Sequence, residues 1–221
     1  MKNALIIGAS GGIGSALSKV LSDGDVAVTG LSRSVDGLDV TDEASVAAAL
    51  DPISNEYDLI LVATGGLEIS DVRPEKSLKD LSAEAMLAQF KLNTMGPALV
   101  LKHAQRLLPK DRRAVFAALS ARVGSIGDNQ LGGWYSYRTA KAALNQMLHG
   151  ASIELGRSHK QAICVALHPG TVATSLTRKY VGKHPAVAPE EAAQNLIRVI
   201  NGLTVEDTGG FFDWQGKRIP W

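Results

Sequence analysis

The stretch YSYRTAKAALNQML places Tyr137 and Lys141 four residues apart, so on a helix both side chains share one face. A phenol on its own has a pKa of about 10 and is a poor acid or base near neutrality. An ammonium held beside it favours the phenolate and brings that value toward the working range. Such a pair can move a proton to or from an oxygen. An incidental tyrosine beside a solvated lysine is the alternative, and the wider sequence has to decide between them.

A second feature stands at the start of the chain. GASGGIGSAL sets Gly8, Gly11, Gly12 and Gly14 between one apolar run and another. Each glycine gives up backbone entropy on folding, so something must need the room. The turn from a first strand into a first helix aims unpaired amides and a positive helix end at one point, which suits a pyrophosphate. The spacing Gly8-x-x-x-Gly12-Ile13-Gly14 differs from the G-x-G-x-x-G fingerprint of dinucleotide sites. A tight turn with close helix–strand packing is the other reading, but it needs one or two glycines rather than four.

Alternating apolar elements must position these groups. Short apolar runs bounded by glycine or polar residues predict strands at Ala4–Gly8, Val26–Gly30, Leu59–Ala63, AVFAALS, AICVALHPG and, at an edge, GGFFDW. Helical spacing runs from Ile13 to Leu21, where Asp23 and Gly24 stop it. TDEASVAAAL reads as a helix capped by Thr41, with acids in its first turn. One long helical pattern covers Ser82 to Leu108, a further helix carries Tyr137 and Lys141, and PEEAAQNLIRVI opens with a proline and two acids. Strands alternating with helices imply right-handed crossovers and a parallel sheet covered on both faces. No repeat or composition break divides the chain. The expectation is one doubly wound, three-layer α/β/α (Rossmann) domain over residues 1–221, its ligand crevice beyond the carboxyl ends of the strands.

Composition sets the outer bounds. Of 221 residues, 45% are hydrophobic and 20% charged, as in an ordinary soluble globular protein. The 23 basic residues nearly balance 22 acidic ones, so nothing predicts attraction to nucleic acid or to a membrane surface. Cys164 is the one cysteine, which excludes an internal disulfide and fits a reducing compartment. The first apolar run is too short for a signal-peptide core, and no run reaches the ~18 residues of a membrane span. The expected location is cytoplasmic.

Taken together, Gly8-x-x-x-Gly12-x-Gly14 and the distant Tyr137-x-x-x-Lys141 resemble a short-chain dehydrogenase/reductase, and the likeness extends over essentially the whole chain. SARVGSI, GGWYSYRTAKAALN and GGFFDWQGKRIPW are similar to the C-factor-like and sniffer-like carbonyl reductases of that family. The resemblance implies a nicotinamide cofactor held by Gly8, Ser10, Gly11, Gly12, Ile13 and Gly14. It implies adenine contacts at Asp39 and Val40 in LDVTD, and further contacts at Ala63, Thr64 and Gly65 in VATGGL. In HPGTVAT the matching residues are Pro169, Gly170, Val172 and Thr174. Tyr137 is then the acid or base on a carbonyl/alcohol oxygen, and Lys141 lowers its pKa and holds the nicotinamide ribose. The cofactor carries out the hydride transfer. Asn93 matches the family's helix asparagine. Pro97, four residues on, has no N–H for the Asn93 carbonyl and opens that turn, where a water could relay protons to the lysine.

The serine departs from the family pattern. In Leu119-Ser120-Ala121-Arg122, Ala121 occupies the place of the usual catalytic serine. Ser120 is adjacent, but strand alternation aims it at the opposite face. Ser125, on the loop toward Tyr137, is the favoured hydroxyl, with activity lacking a strong serine contribution as the alternative.

Cofactor choice turns on the end of the second strand, where a carboxylate would suit NAD and a basic side chain the 2′-phosphate of NADP. TGLSRS offers Ser32 and Arg33, with no acid before Asp36, so NADP(H) is expected, NAD being possible. His103, His149, His159 and His184 show no metal-ligand spacing, and no metal site is expected. Trp134 precedes the tyrosine helix and could line a substrate pocket. The region Ser175 to Ala188, where relatives place a substrate-covering loop, is short. The leading function is an NADPH-dependent carbonyl reductase on an aldehyde or ketone of unknown identity. A nucleotide-sensing or signalling protein is the rival, favoured by Ala121 and disfavoured by the retained phenol. A methyltransferase on the same sheet would leave Tyr137 and Lys141 unexplained. Family resemblance further implies a homodimer or homotetramer through the 82–108 helix and the tyrosine helix.

Overall fold

The computed structural model describes residues 1–69, 72–175, 177 and 186–221. His184 and most of the Ser175–Ala188 stretch therefore lie outside the described residues. A six-stranded sheet organises the chain, in the order β2-β1-β3-β4-β5-β6 with every pairing parallel. The strands are β1 (Asn3–Ile7), β2 (Ala27–Leu31), β3 (Leu59–Val62), β4 (Ala114–Leu119), β5 (Ala162–His168) and β6 (Phe211–Asp213). Each falls within two residues of an apolar run picked out above, and the edge position of β6 is as expected.

The inner strands are apolar throughout because both of their faces are covered. Alternation sends Leu5, Ile7, Ile60, Val62, Phe116 and Cys164 to one core cluster and Ala4, Ile6, Leu61, Val115, Ile163 and Val165 to the other. The second cluster is closed by α1 (Gly12–Asp23) and α7 (Pro189–Gly202), which pack against each other. The first is closed by α3 (Glu43–Leu50), α5 (Gly96–Ala104) and α6 (Tyr135–Ser158). Between β2 and α3 lies a single-turn helix, α2 (Arg33–Asp36), which was too short to leave a periodic signal. The order reverses at β1, so a crevice opens between β1 and β3 beyond their carboxyl ends.

Two local expectations are corrected. Asp42, not Thr41, caps α3, its Oδ1 accepting from the Ala44 N–H at 3.1 Å. Thr41 instead donates to Asp39 Oδ1 from both its N–H and its hydroxyl. The 82–108 pattern is also not one α-helix. Ser82 caps α4 (Ala83–Phe90), a π turn spans Lys91–Met95, α5 follows, and Gln105–Leu107 closes as a 3₁₀ turn. Pro97 cannot donate to the Asn93 carbonyl, and the wider turn answers this with a bond from the Gly96 N–H to the Lys91 carbonyl, five residues back. Among the described residues no helix is long and apolar enough to cross a membrane.

Candidate active site

A cavity of about 460 Å³ opens beyond the carboxyl ends of β1, β3, β4 and β5. Its β1 side is the glycine turn, of which Gly11, Gly12 and Ile13 line the wall. Gly8 has φ +90°, where a side chain is strained, and a Cβ on Gly14 would lie 2.1 Å from the Gly8 carbonyl oxygen. Those two serve the tight turn. Gly12 serves the cavity: its Cβ would stand 2.8 Å from Thr174 Cγ2 on the opposite wall. Gly11 caps α1 with no side chain, and no acid lies in the first turn, so the first amides of α1 meet no capping side chain. A helix end of this kind has the donors and the dipole to hold an anion.

At the end of β2 the structure sorts the predicted residues further. Ser32 is buried, and its hydroxyl caps α2 by accepting from the Val35 N–H at 3.3 Å. Asp36 folds back onto the Ser32 N–H at 2.7 Å, so the first acid after β2 is spent within α2. Arg33 is exposed at the start of that helix, and beside it Ser34 Oγ donates to Ser10 Oγ at 2.9 Å. Sequence reasoning missed Ser34, although a hydroxyl next to an arginine was the available signal. Thr41 holds the Asp39 carboxylate below its usual range by hydrogen bonding. The Val40 side chain packs in the core, against the place where a Cβ on Gly96 would stand.

Tyr137 and Lys141 project into the cavity from the first turns of α6. Lys141 Nζ lies 5.8 Å from the Tyr137 ring centre and donates to the Leu119 carbonyl at 2.9 Å. Burial pushes the Tyr137 phenol up to about 12 and brings the Lys141 ammonium down to about 7. The expected lowering of the phenol by the lysine is thus outweighed by desolvation of both groups. Ala63, Thr64 and Gly65 continue the wall after β3, and Thr64 Oγ1 is buried with no hydrogen-bond partner. A Cβ on Gly65 would lie 3.0 Å from Asn93 Oδ1 and 3.5 Å from Lys141 Nζ, so the loop needs glycine to pass between them. Asn93 is fully buried at the π turn. Its side chain accepts from the Gly66 N–H at 3.1 Å and donates to the Gly66 carbonyl at 2.9 Å and to Gln89 Oε1 at 2.6 Å.

The two serines are committed elsewhere. Ser120 is not aimed at the opposite face: it lies just past the end of β4 and lines the cavity, but its hydroxyl donates to Asn145 Oδ1 at 2.7 Å. Ser125 is buried outside the cavity lining; it donates to the Pro220 carbonyl at 2.5 Å and accepts from the Asp128 N–H at 3.1 Å. The bend that follows Ala121 turns Ser125 toward the C-terminal residues. Ala121 itself is on the wall, beside Arg122, whose guanidinium pairs with Asp128 at 3.0 Å and Asp213 at 3.3 Å. Beyond β5, Pro169, Gly170, Val172 and Thr174 line the cavity. His168 joins them with an unpartnered Nδ1, and burial, together with the Arg122 charge, brings its imidazole down to about 4. Trp134, immediately before α6, also lines the cavity and meets Tyr137 edge-on at 6.4 Å.

The chain is similar to known proteins along its length. A family model described as Enoyl-(Acyl carrier protein) reductase matches residues 14–212. The 1-hydroxy-2-glutathionyl-2-methyl-3-butene dehydrogenase of Rhodococcus sp. (strain AD45) is 32% identical over 237 aligned residues, covering 100% of both chains. The C-signal of Myxococcus xanthus is 34% identical over 148 residues, 66% of this chain and 84% of that one. Among solved structures, the carbonyl reductase Sniffer of D. melanogaster superposes with a TM-score of 0.82 at 20% identity over 100% of both chains. An NADPH-bound carbonyl reductase from chicken fatty liver gives 0.83 at 24% identity over 100% of this chain and 99% of that one. With a phenol and an amine facing a glycine turn across one cavity, and with these matches along its length, the chain belongs to the short-chain dehydrogenase/reductase family of oxidoreductases.

Proposed function

We propose that this protein is an NADP(H)-dependent carbonyl reductase. The observation that carries the reading is that Tyr137 and Lys141 line the same cavity as the amides that open α1. The fit of a dinucleotide is supported by that helix end, by the room left where Gly12 faces Thr174, and by the partnerless Thr64 hydroxyl on the wall between them. Arg33, Ser34 and Ser10 would meet the 2′-phosphate, because the acid that could have favoured a bare ribose, Asp36, is engaged within its own helix. The NADPH carried by the chicken enzyme and the NADP in a related Burkholderia multivorans structure support the same choice. Asp39 and the main chain of Val40, whose side chain is held in the core, would flank the adenine, and Pro169, Gly170 and Val172 the nicotinamide.

Bound there, the cofactor supplies a hydride to the carbonyl carbon of an aldehyde or ketone. Tyr137 gives its hydroxyl proton to the carbonyl oxygen, so one hydride and one proton yield the alcohol. A phenol held protonated by burial suits donation and therefore reduction. Lys141, poised near neutrality, takes and returns protons behind Tyr137 and orients the ribose. Asn93 pins the Gly65–Gly66 loop and offers its main-chain carbonyl at the opened turn. No serine shares the polarisation of the carbonyl, and Tyr137 is its main donor. Met86, Leu87 and Phe90, exposed on α4, and Ile153, exposed on α6, favour self-association through these helices as a dimer or tetramer.

Loss of NADPH absorbance with a panel of aldehydes and ketones tests the reading. Turnover with NADPH at least tenfold faster than with NADH supports it, and tight NADPH binding without turnover on any carbonyl would overturn it. That second outcome belongs to a nucleotide-responsive signalling protein. Ala121 in the serine position and the likeness to the C-signal favour that alternative.

A further inference from the structure

A buried carboxylate that takes no part in this chemistry stands against the helix that carries it. Glu75 is 4% exposed and lies in the loop after β3. Its carboxylate accepts from the Ser136 hydroxyl through Oε1 and from the Ser136 N–H at 3.3 Å through Oε2. Its main-chain carbonyl accepts from the Trp134 N–H at 2.6 Å. One residue thus binds both neighbours of the opening turn of α6, from 61 positions away in the chain.

The helix has need of such a partner. The first amides of a helix lack intrahelical acceptors and are usually satisfied by a Ser, Thr, Asp or Asn at the cap. The cap of α6 is Trp134, whose side chain offers no acceptor. Its φ of +50° follows Gly132 and Gly133 at +62° and +65°, a left-handed run that a tryptophan enters only at a cost. A local aspartate would cap the turn without burying a charge, and burying a carboxylate is costly unless it is hydrogen-bonded. Capping from a distance therefore needs a reason beyond helix stability.

That reason lies in what the turn carries. Tyr137 follows Ser136 directly, and Trp134 packs edge-on against it. Pinning residues 134 and 136 fixes the residue after them to within the tolerance that proton transfer requires. The loop that provides Glu75 is anchored in turn. A box in which Asp80 accepts from the Lys76 and Ser77 N–H groups holds its far end, and Gln89 holds the Leu67 carbonyl at 2.8 Å.

We propose that Glu75 is a positioning residue for Tyr137, a remote carboxylate cap that sets the phenol against the cavity by holding Trp134 and Ser136. This rests on the reading of Tyr137 as the proton donor. The test compares Glu75→Ala, Glu75→Gln, Ser136→Ala and Tyr137→Phe for kcat, carbonyl KM and NADPH Kd. Glu75→Ala is expected to lower kcat by roughly tenfold while KM and Kd stay within twofold. Glu75→Gln, whose amide oxygen can accept from the Ser136 N–H while its NH2 donates to the Ser136 hydroxyl, is expected to recover at least half of that loss. Should Glu75→Ala fail to fold, Ser136→Ala decides, with kcat expected to fall about threefold at unchanged Kd. Wild-type kcat in Glu75→Ala, or in Ser136→Ala where Glu75→Ala does not fold, overturns the assignment. So does a Gln variant no better than Ala, or a loss confined to NADPH Kd. If Tyr137→Phe turns over normally, the tyrosine reading fails and takes this proposal with it. An inactive Tyr137→Phe beside a fully active Glu75→Ala sinks the role of Glu75 alone.

Discussion

The side chain of Lys141 reaches past Tyr137, its Nζ 5.8 Å from the ring centre, and ends on the Leu119 carbonyl at 2.9 Å. The two groups share a helix face as their spacing dictates, yet burial sets their proton affinities more strongly than their proximity does. The site therefore holds a protonated phenol and an amine that titrates near neutrality.

Stability should register this. The Lys141 pKa falls from an ordinary 10.5 to about 7 on folding, so between those values the unfolded chain binds the extra proton and stability rises with pH. The opposing groups, Cys164 and Tyr137, are both raised by burial, and their contributions fade only above about pH 9 and pH 10. From pH 7 to 9 the unfolding free energy of the wild type should rise by ~2 kcal/mol relative to Lys141→Met. Urea titrations at pH 7, 8 and 9 measure it. Parallel pH trends in the two proteins would mean that Lys141 is not desolvated in the fold.

His168 carries an expectation of the same sign, on the acid side. Its imidazole drops to about 4, so the stability that it contributes is complete above pH 6.5 and disappears as the pH falls toward 4. The NMR signals of its ring should stay in the neutral form down to about pH 5. A midpoint at 6 or higher would contradict the burial of this side chain at the cavity wall.

The serines give a paired prediction. Ser125→Ala removes two hydrogen bonds of a buried hydroxyl and should cost about 1 kcal/mol of stability, with kcat changed less than twofold. Ala121→Ser returns a hydroxyl to the cavity wall and should raise kcat several-fold. A large loss of turnover in Ser125→Ala at normal stability would restore Ser125 to the chemistry.

Why the partners of the serines were hidden while the strands were legible follows from what each signal encodes. Continuous apolar runs such as LILV and AVFAAL are legible because both faces of an inner strand must be buried, and that demand is local. A hydroxyl's role depends on its partner, and Asn145 and Pro220, which claim Ser120 and Ser125, are 25 and 95 positions away. The break in the 82–108 helix could be read because Pro97 acts on its own turn. Glu75 could not be read, since its meaning comes from a helix start that only the tertiary fold brings beside it. The four residues of α2 were too few to show a period, and with them the pairing of Ser10 and Ser34 stayed hidden.

That pairing bears on cofactor selection. Arg33→Ala should weaken NADPH binding at least tenfold and leave NADH binding within twofold, because the arginine would meet only the 2′-phosphate. Fluorescence titration with both nucleotides measures the ratio. Equal losses for the two would place Arg33 away from that phosphate.

The central claim is that the phenol of Tyr137 delivers the proton in a site whose nucleotide is held by other groups. Its most direct measurement is Tyr137→Phe, assayed for NADPH binding and for turnover of whichever carbonyl the wild type reduces. The account predicts NADPH affinity within twofold of wild type and kcat lower by about a thousandfold. A phenylalanine variant reducing that carbonyl within tenfold of the wild-type rate would contradict it.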